Sequence, residues 1–152
     1  MAIGLIVAAS VAALSLDHTW EGVTQSRQYS QVVPACAPTG LIIALHGAGG
    51  DSSWECQGLS EVVNNIGVVL VCPQGRGGAW KAFSSCDECD NSGGWSDGDD
   101  SEDVSFIAGL IEHITSEYAI PEGRVIVTGF SLGVSMAYRF HCERSDLIGG
   151  TR

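Results

Sequence analysis

Hydrophobic and polar positions along the chain follow two periodicities, which predict buried strands alternating with helices. Continuous apolar runs rich in Val, Ile and Leu occupy residues 41–47 (LIIALHG), 68–75 (VVLVCPQG) and 124–129 (RVIVTG), and each run ends in glycine. Runs of this length and composition are typical of parallel strands that are buried on both faces. The pattern therefore predicts three such strands in the core.

Helical periodicity fills the intervals between these runs. Apolar residues recur every three or four positions from Asp103 to Tyr118, a shorter amphipathic segment covers 58–67, and residues 132–142 continue as a helix after the third run. Strands alternating with helices predict a doubly wound α/β sheet. At the two ends, residues 22–34 predict an antiparallel strand or hairpin arm, and residues 145–152 begin like a fourth buried strand.

The size and charge of the chain limit what it can bind. A length of 152 residues suffices for one domain with a hydrophobic core. Hydrophobic residues make up 45% and charged residues 16% of the chain, which indicates a globular protein. The chain has seven Lys and Arg residues and 18 Asp and Glu residues, which gives a formal net charge of −11, and the basic residues form no cluster. This balance argues against nucleic-acid binding.

The first sixteen residues and the cysteines favour secretion. Residues 1–16 (MAIGLIVAASVAALSL) have the length of a signal-peptide core and are too short to span a bilayer, although the usual positively charged start is missing. The alternatives are an incomplete signal peptide or a buried helix, and the folded domain is expected over residues 22–152. Six cysteines favour disulfides, and the Cys86/Cys89 pair lacks the second pair that a zinc site needs.

The segment 86–103 has eight acidic residues and no basic ones. Its DGDDSED stretch has the alternate spacing of a calcium-binding loop. However, Glu102 occupies the position that requires glycine, and Ala108 the position that requires a bidentate glutamate. We therefore favour a solvated loop whose side chains, Ser101 or Asp103, cap the next helix. No metal or cofactor is expected.

A candidate nucleophile lies between the third apolar run and the helix after it. The pentapeptide GFSLG (129–133) fits the pattern G-x-S-x-G. This pattern places a serine on a sharp turn from a buried strand into a helix, where its hydroxyl is exposed and the flanking glycines let strand and helix pass closely. Ser131 is therefore the predicted nucleophile, and the alternative is an ordinary turn that happens to hold a glycine-flanked serine.

A serine that attacks a carbonyl also needs hydrogen-bond donors for the negative charge that develops on the oxygen. One predicted donor is the backbone N–H of Leu132, at the start of a helix. The other is the N–H of Ala48, with Gly47 as the fallback, because HGAGG (46–50) is a glycine-rich turn at the end of an earlier strand. His46 is expected to be structural or to line the substrate together with Gly47, rather than to act as the base.

Five segments carry a family resemblance: GVTQSRQYSQVVP (22–34), LIIALHGAGGD (41–51), VVLVCPQG (68–75), EDVSFIAGLIEHI (102–114) and RVIVTGFSLGVSMAYRFHCERSDLIGG (124–150). Together they resemble the secreted α/β-hydrolase family of polyhydroxybutyrate depolymerases, feruloyl esterases and acetylxylan esterases. The resemblance implies a mostly parallel sheet with helices on both faces. It also implies an acyl-enzyme mechanism through Ser131 on plant cell-wall or polyester esters. The family typically has S-x-G-G after the nucleophile, whereas here Val134 follows Gly133, a departure that concerns the packing of the helix.

The groups that would activate Ser131 are not evident in the sequence. In α/β-hydrolases the serine is followed by an acid and then a histidine, but His141 lies ten residues further along the predicted helix, about 15 Å away at about 1.5 Å per residue. Asp146 precedes the next predicted strand instead of following it. We therefore expect the acid and the histidine to belong to a C-terminal half that this chain lacks, so that the domain is truncated after the nucleophile helix. The alternative is a non-catalytic binding or scaffold protein.

Overall fold

The computed structural model describes residues 10–82 and 101–149. The elements in this part are β1 (Ala12–Trp20), β2 (Val23–Val32), β3 (Leu41–Leu45), α1 (Ser52–Ile66), β4 (Val69–Pro73), α2 (Ser101–Glu117), β5 (Val125–Gly129) and α3 (Leu132–Glu143), with short 3₁₀ helices at Arg76–Gly78 and Ser145–Leu147. The strands form one sheet in the order β1-β2-β4-β3-β5. β4, β3 and β5 run parallel, whereas β1 and β2 add antiparallel pairs at the other side of the sheet.

The three predicted parallel strands are confirmed, but their burial is unequal. β4 is buried along its whole length and β3 nearly so. In β5, Val125 and Val127 are buried, whereas Ile126 is 58% exposed. The prediction of burial on both faces is wrong for β5, because α1 packs over β2, β3 and β4 and leaves that side of β5 uncovered in the described part.

Helices on both faces of the sheet are confirmed. On one face, α1 packs over a small apolar cluster that includes Val63, Ala44 and Leu70. On the other face, α2 and α3 enclose the larger cluster, whose fully buried side chains include Phe106, Ile107, Met136 and Phe140. Apolar residues spaced along α2 make one continuous buried stripe, as the helical periodicity predicts.

One disulfide is present in the described part. Cys56 in α1 is bonded to Cys72 in β4, and both residues are fully buried. The disulfide therefore joins a helix to the sheet that it covers. Cys36 and Cys142 are free and exposed. Cys86 and Cys89, for which a structural disulfide to a cysteine elsewhere in the chain is favoured over a zinc site, lie outside the described residues.

The predicted antiparallel segment is the second arm of a hairpin. β1 pairs with β2 along its entire length, and the two strands are joined through Glu21 and Gly22, both with positive φ (48° and 78°), as a tight hairpin turn requires. β1 includes residues 12–16, the end of the apolar leader, and Leu16 packs against the large cluster. The strand pairing thus begins ten residues before the domain start expected from the sequence. The signal peptide stays a prediction, and residues 1–9 lie outside the described part.

Helix α1 begins six residues earlier than its apolar spacing predicts. The Asp51 carboxylate accepts hydrogen bonds from the backbone N–H groups of Ser53 and Trp54, which caps the first turn. At the other end Gly67 adopts a left-handed conformation and its N–H binds the Val63 carbonyl. The cap explains why a polar stretch without apolar periodicity is helical.

The expected fourth buried strand is not formed within the described residues. Residues Ser145–Leu147 form a 3₁₀ helix, and the chain becomes extended only at Ile148. The Gly149 N–H then donates to the Val125 carbonyl at 2.8 Å. Residues 150–152 lie outside the described part.

The last residues of the acidic segment 86–103 are helical and buried, which differs from the expected solvated loop. Glu102 and Asp103 lie inside the first turn of α2 and are 8% and 4% exposed. The buried Arg27 of β2 donates to both carboxylates, at 2.9 and 2.8 Å, and its guanidinium stacks on the Phe106 ring. We call Arg27, Glu102 and Asp103 the Arg27 cluster. Most of the DGDDSED stretch lies outside the described residues.

Candidate active site

Ser131 occupies the turn between β5 and α3. Its backbone angles are φ 50° and ψ −118°, a combination that residues with a side chain rarely adopt. The residue is exposed, and within the described residues its hydroxyl makes no hydrogen bond. This is the strained strand-to-helix turn that the G-x-S-x-G pattern predicts.

The glycines around Ser131 are required by close backbone contacts. A Cβ atom at Gly129 would lie 2.4 Å from the Gly133 carbonyl carbon, and one at Gly133 would lie 2.0 Å from the Leu45 oxygen. α3 therefore starts in contact with the end of β3. Val134, the departure from the family pattern, is 54% exposed, so the close approach of α3 to β3 does not need a second glycine after Gly133.

The His46–Gly50 loop lies beside the serine. A Cβ atom at Gly47 would be 3.3 Å from the Ser131 Cβ and 3.2 Å from the Phe130 ring. The Gly49 N–H donates to the Gly78 carbonyl at 2.7 Å, and the Gly50 N–H to the Gly47 carbonyl at 3.0 Å. The structure therefore brings together the two segments from which the oxyanion donors were predicted.

The two predicted donors make no hydrogen bond to the described protein groups. Among the described residues, neither the Ala48 N–H nor the Leu132 N–H has a hydrogen-bond acceptor. Leu132 is the first residue of α3, where a backbone N–H has no acceptor within the helix and the helix dipole is positive. The described residues leave both N–H groups without a protein acceptor, and their assignment as an oxyanion hole stays a prediction.

His46 is held by the backbone through both ring nitrogens. Nδ1 donates to the Gly47 carbonyl at 2.7 Å, and Nε2 accepts from the Gly75 N–H at 3.0 Å. The ring also lies against Trp80, whose indole N–H donates to the His46 carbonyl. The residue is 1% exposed. This geometry favours the structural role over contact with substrate and leaves neither nitrogen to take a proton from serine.

The other three histidines lie on elements away from Ser131. His18 is in β1, four strand positions across the sheet from β5, or about 19 Å at about 4.8 Å per strand. His113 is exposed on α2 and pairs with Glu117 at 3.6 Å. His141 is near the end of α3, and its Nδ1 donates to the Ala137 carbonyl. Neither the described geometry nor the sequence spacing places a histidine where it could activate the serine.

Sequence reasoning missed the side chain that links the loops of this site. Gln74 follows β4 directly, and its carboxamide contacts both Gly50 and Ser52 on either side of the start of α1. The only signal in the sequence is the PQG tripeptide at the end of an apolar run, which predicts the end of a strand but gives no partner for the glutamine.

Neither a metal site nor a membrane span is found in residues 10–82 and 101–149. No group of three or more His, Cys, Asp or Glu side chains is arranged to hold a metal ion there. No helix in the same ranges has both the length and the apolar character needed to cross a bilayer.

Comparison with known proteins finds a sequence relative among the esterases. The chain is 28% identical to the probable feruloyl esterase C of Aspergillus niger over an aligned stretch of 131 positions, and the match covers 78% of this chain and 42% of that protein. It therefore spans less than half of the length of this relative. No model of a known protein family matches the chain.

Solved structures of esterases share the fold. An acetyl xylan esterase from Aspergillus awamori superposes with a TM-score of 0.62 at 20% identity, over 90% of this chain and 49% of that one. A cold-adapted esterase from an Arctic intertidal metagenomic library gives a TM-score of 0.67 at 14% identity, over 93% and 58%. The chain therefore has the α/β-hydrolase fold, and the resemblance to carboxylic ester hydrolases that its motifs predict is confirmed.

Proposed function

We propose that this chain carries the nucleophile and the oxyanion hole of a serine esterase of the polyhydroxybutyrate depolymerase and feruloyl esterase type. The observation that carries the proposal is the turn at Ser131. A strained, exposed serine lies at the start of a helix, with the glycine loop of β3 packed against its Cβ. Strain of this kind is kept only where the surrounding contacts enforce it, and it is concentrated at functional sites.

The reaction proceeds through an acyl-enzyme. The Ser131 Oγ attacks the ester carbonyl, and its proton passes to a base while the carbonyl oxygen becomes an oxyanion. The N–H groups of Leu132 and Ala48 bind that oxyanion, aided by the positive end of the α3 dipole. The intermediate then expels the alcohol, and water hydrolyses the acyl group from Ser131.

No histidine of this chain is placed to act as the base for Ser131. All four histidines are in the described part, and each is remote from Ser131 or bonded through both ring nitrogens. In serine proteases that have lost triad members, the oxyanion hole and substrate binding alone still give about 10³- to 10⁴-fold catalysis over water. Reaction at Ser131 itself needs a proton acceptor, so we expect it to be slow in the chain alone and faster with a diffusible base.

The substrates are esters of plant cell-wall or polyester material, and the protein is secreted. The sequence relative is named a feruloyl esterase, and one structural neighbour is an acetyl xylan esterase. The buried Cys56–Cys72 disulfide supports an oxidising compartment. Phe130 is 68% exposed next to Ser131 and adds an apolar surface on which an acyl group can rest.

Labelling with a fluorophosphonate probe tests the proposal. The folded chain should be labelled slowly at Ser131, as located by mass spectrometry, and added imidazole should accelerate the labelling by serving as a diffusible base. Ser131→Ala should remove the label, whereas Ser135→Ala, one turn further along α3, should keep it. Hydrolysis of a short-chain p-nitrophenyl ester is followed in parallel, with Ser131→Ala in the same imidazole as the blank.

Two results would overturn the esterase proposal. One is labelling that persists unchanged in Ser131→Ala. The other is a folded wild-type chain that shows no Ser131-dependent labelling or hydrolysis even with imidazole. The second result would favour a non-catalytic binding or scaffold protein, a function that the absence of a histidine beside Ser131 also allows.

A further inference from the structure

We propose that Gln74 is the positioning residue of the oxyanion hole, acting through the His46–Gly50 loop; this inference rests on the proposed function. Gln74 is the first residue after β4, and its side chain is partly buried between that loop and the start of α1. It touches neither Ser131 nor the two oxyanion donors in the described geometry. Its effect on the reaction is therefore indirect.

The carboxamide of Gln74 bonds to both sides of the point where the loop enters α1, and its Nε2 also lies 3.3 Å from the His46 Nε2 and 3.3 Å from the Gly75 carbonyl. Its Oε1 accepts from the Ser52 N–H at 2.8 Å, and its Nε2 donates to the Gly50 carbonyl at 3.3 Å. These two backbone groups flank Asp51, at the point where the loop enters α1. One side chain thus fixes both the carbonyl that ends the loop and the N–H that begins the helix.

The neighbouring backbone of Gln74 adds further bonds to the same loop. The Gly75 N–H donates to the His46 Nε2 at 3.0 Å, and the Gly78 carbonyl accepts from the Gly49 N–H at 2.7 Å. The loop is therefore held at its first, fourth and fifth residues by the segment that follows β4. Ala48, between these attachments, keeps its N–H free.

Gln74 is itself anchored to the strand beside it. Its backbone N–H donates to the Gln28 carbonyl at 2.9 Å, and its carbonyl lies 3.4 Å from Nη2 of the buried Arg27. The carboxamide therefore projects from a fixed backbone. Displacing a catalytic hydrogen-bond donor by about an ångström can lower the reaction rate about 100-fold. The position of the Ala48 N–H therefore depends on how firmly the His46–Gly50 loop is held.

The chemistry of the site requires an amide. A glutamate of the same shape keeps the acceptor for the Ser52 N–H but loses the donor to the Gly50 carbonyl. It also brings a negative charge beside a loop that must bind an oxyanion. Protonation of that glutamate restores one O–H donor and removes the charge, which makes the defect of Gln74→Glu reversible with acid.

The experiment measures labelling of Ser131 by the fluorophosphonate, with imidazole present, in the full chain. In Gln74→Glu at pH 7 we expect the maximal labelling rate to fall about 10- to 100-fold, because the donor is displaced but not removed. The probe concentration for half-maximal rate should change less than about twofold. The ratio to wild type should recover as the pH approaches the ordinary glutamate pKa of about 4.3, with acetate replacing imidazole as the diffusible base for both proteins in the acidic range, where imidazole is protonated. Gln28→Glu, which adds the same charge at an exposed neighbouring position, should behave as wild type.

A second measurement does not depend on reactivity. Gln74→Leu removes every hydrogen bond of the carboxamide, and hydrogen exchange of the peptide spanning residues 46–54 should rise, while exchange in β3 and β4 stays as in wild type. Circular dichroism confirms that each variant is folded, and if Gln74→Leu does not fold, exchange is measured in Gln74→Glu at pH 7.

The outcomes separate the two proposals. Wild-type labelling in Gln74→Glu at pH 7, or a deficit that is the same at every pH, overturns the positioning role. Unchanged exchange over residues 46–54 overturns it as well. If the wild-type chain never reacts at Ser131, the proposed function fails, and the exchange result alone then decides whether Gln74 holds the loop.

Discussion

At Ser131 a side chain occupies backbone angles that favour glycine, and the surrounding residues hold it there. The Phe130 N–H donates to the Leu45 carbonyl, and the Gly133 N–H to the Phe130 carbonyl, on either side of the serine. These bonds fix the turn before any substrate arrives. The cost of a conformation of this kind is about 1–3 kcal/mol, which the packing of β3 against α3 must offset.

Gly133 is the residue on which that packing depends. Substituting alanine places a methyl carbon 2.0 Å from the Leu45 backbone oxygen, which cannot move without shifting β3. We expect Gly133→Ala to lower the free energy of unfolding by at least about 2 kcal/mol in urea titrations.

The matched control is Gly58→Ala in α1. Gly58 is exposed, and a Cβ there would meet nothing within 4 Å. Alanine should stabilise this helix by up to about 1 kcal/mol. Equal effects of the two substitutions would show that the close contact at Gly133 does not constrain the fold.

Single residues were predictable where a short motif fixes the local backbone. The pattern around Ser131 predicts the turn, the exposed hydroxyl and the need for glycine, because these follow from five consecutive residues. The roles of His46 and Gln74 were not predictable to the same degree. The hydrogen bonds of His46 with Gln74 and Gly75 join positions 28 and 29 residues apart, and those of Gln74 with Ser52 and Gly50 join positions 22 and 24 residues apart. Such bonds depend on how two loops meet at the end of the sheet, which local sequence does not reveal.

Between elements, the Arg27 cluster ties the N-terminal hairpin to α2. Arg27 belongs to β2, and its two carboxylate partners lie 75 and 76 residues later in the first turn of the helix. The Asp103 carboxylate also accepts the Lys81 N–H at 3.0 Å, and Glu102 pairs with Arg76 at 2.6 Å. The carboxylates thus bind the hairpin and the segment after β4, in addition to any effect on the helix dipole.

Removal of the arginine should leave two buried carboxylates without the buried cation that pairs with both. We expect Arg27→Met to lower the free energy of unfolding by about 3–5 kcal/mol, measured by chemical denaturation at pH 7. The triple variant Arg27→Met with Glu102→Gln and Asp103→Asn should recover part of the loss, because no buried charge then remains unpaired.

A surface ion pair provides the comparison. Arg144 pairs with Asp146 at 3.0 Å on an exposed turn, and Arg144→Met should cause a much smaller loss. If Arg27→Met is no worse than Arg144→Met, the cluster does not stabilise the junction between β2 and α2.

The sequence predicts the central elements better than the hairpin. β3, β4, β5 and their helices follow from apolar periodicity, because they are covered by protein on at least one face. The burial of Glu102 and Asp103 is the opposite case, since acidic residues in a segment rich in Asp and Gly predict solvent exposure. Only the pairing with Arg27, which local periodicity does not reveal, makes their burial possible.

For the molecule as a whole, His18 should make stability depend on pH. Its ring packs edge-on against Phe106, and in the described part its buried Nε2 has no hydrogen-bond partner. Burial, and after it the Arg27 guanidinium, lowers the pKa of His18 below the ordinary value of 6.5. The unfolded chain therefore binds a proton more readily than the folded one.

The sign of this effect is a loss of stability on acidification. The contribution of His18 is fully present above pH 6.5 and is lost as the pH falls from there towards the lower folded pKa. We expect His18→Gln to flatten the fall in unfolding free energy between pH 7.5 and pH 5, as followed by thermal or urea unfolding. His113→Gln, the same substitution at an exposed histidine of α2, is the matched control. An identical slope in wild type and His18→Gln would contradict the prediction.

The Cys56–Cys72 disulfide closes a covalent ring, and the chain segments on either side of the ring lead directly to the candidate site. From Cys56 the chain runs back through the first turn of α1 to the His46–Gly50 loop, and from Cys72 it runs forward to Gln74. A protease that cuts the chain anywhere between these cysteines leaves the two flanking segments joined through the disulfide. The His46–Gly50 loop and Gln74 therefore stay in one covalently linked molecule after such a cut, and only a reducing agent separates the two fragments.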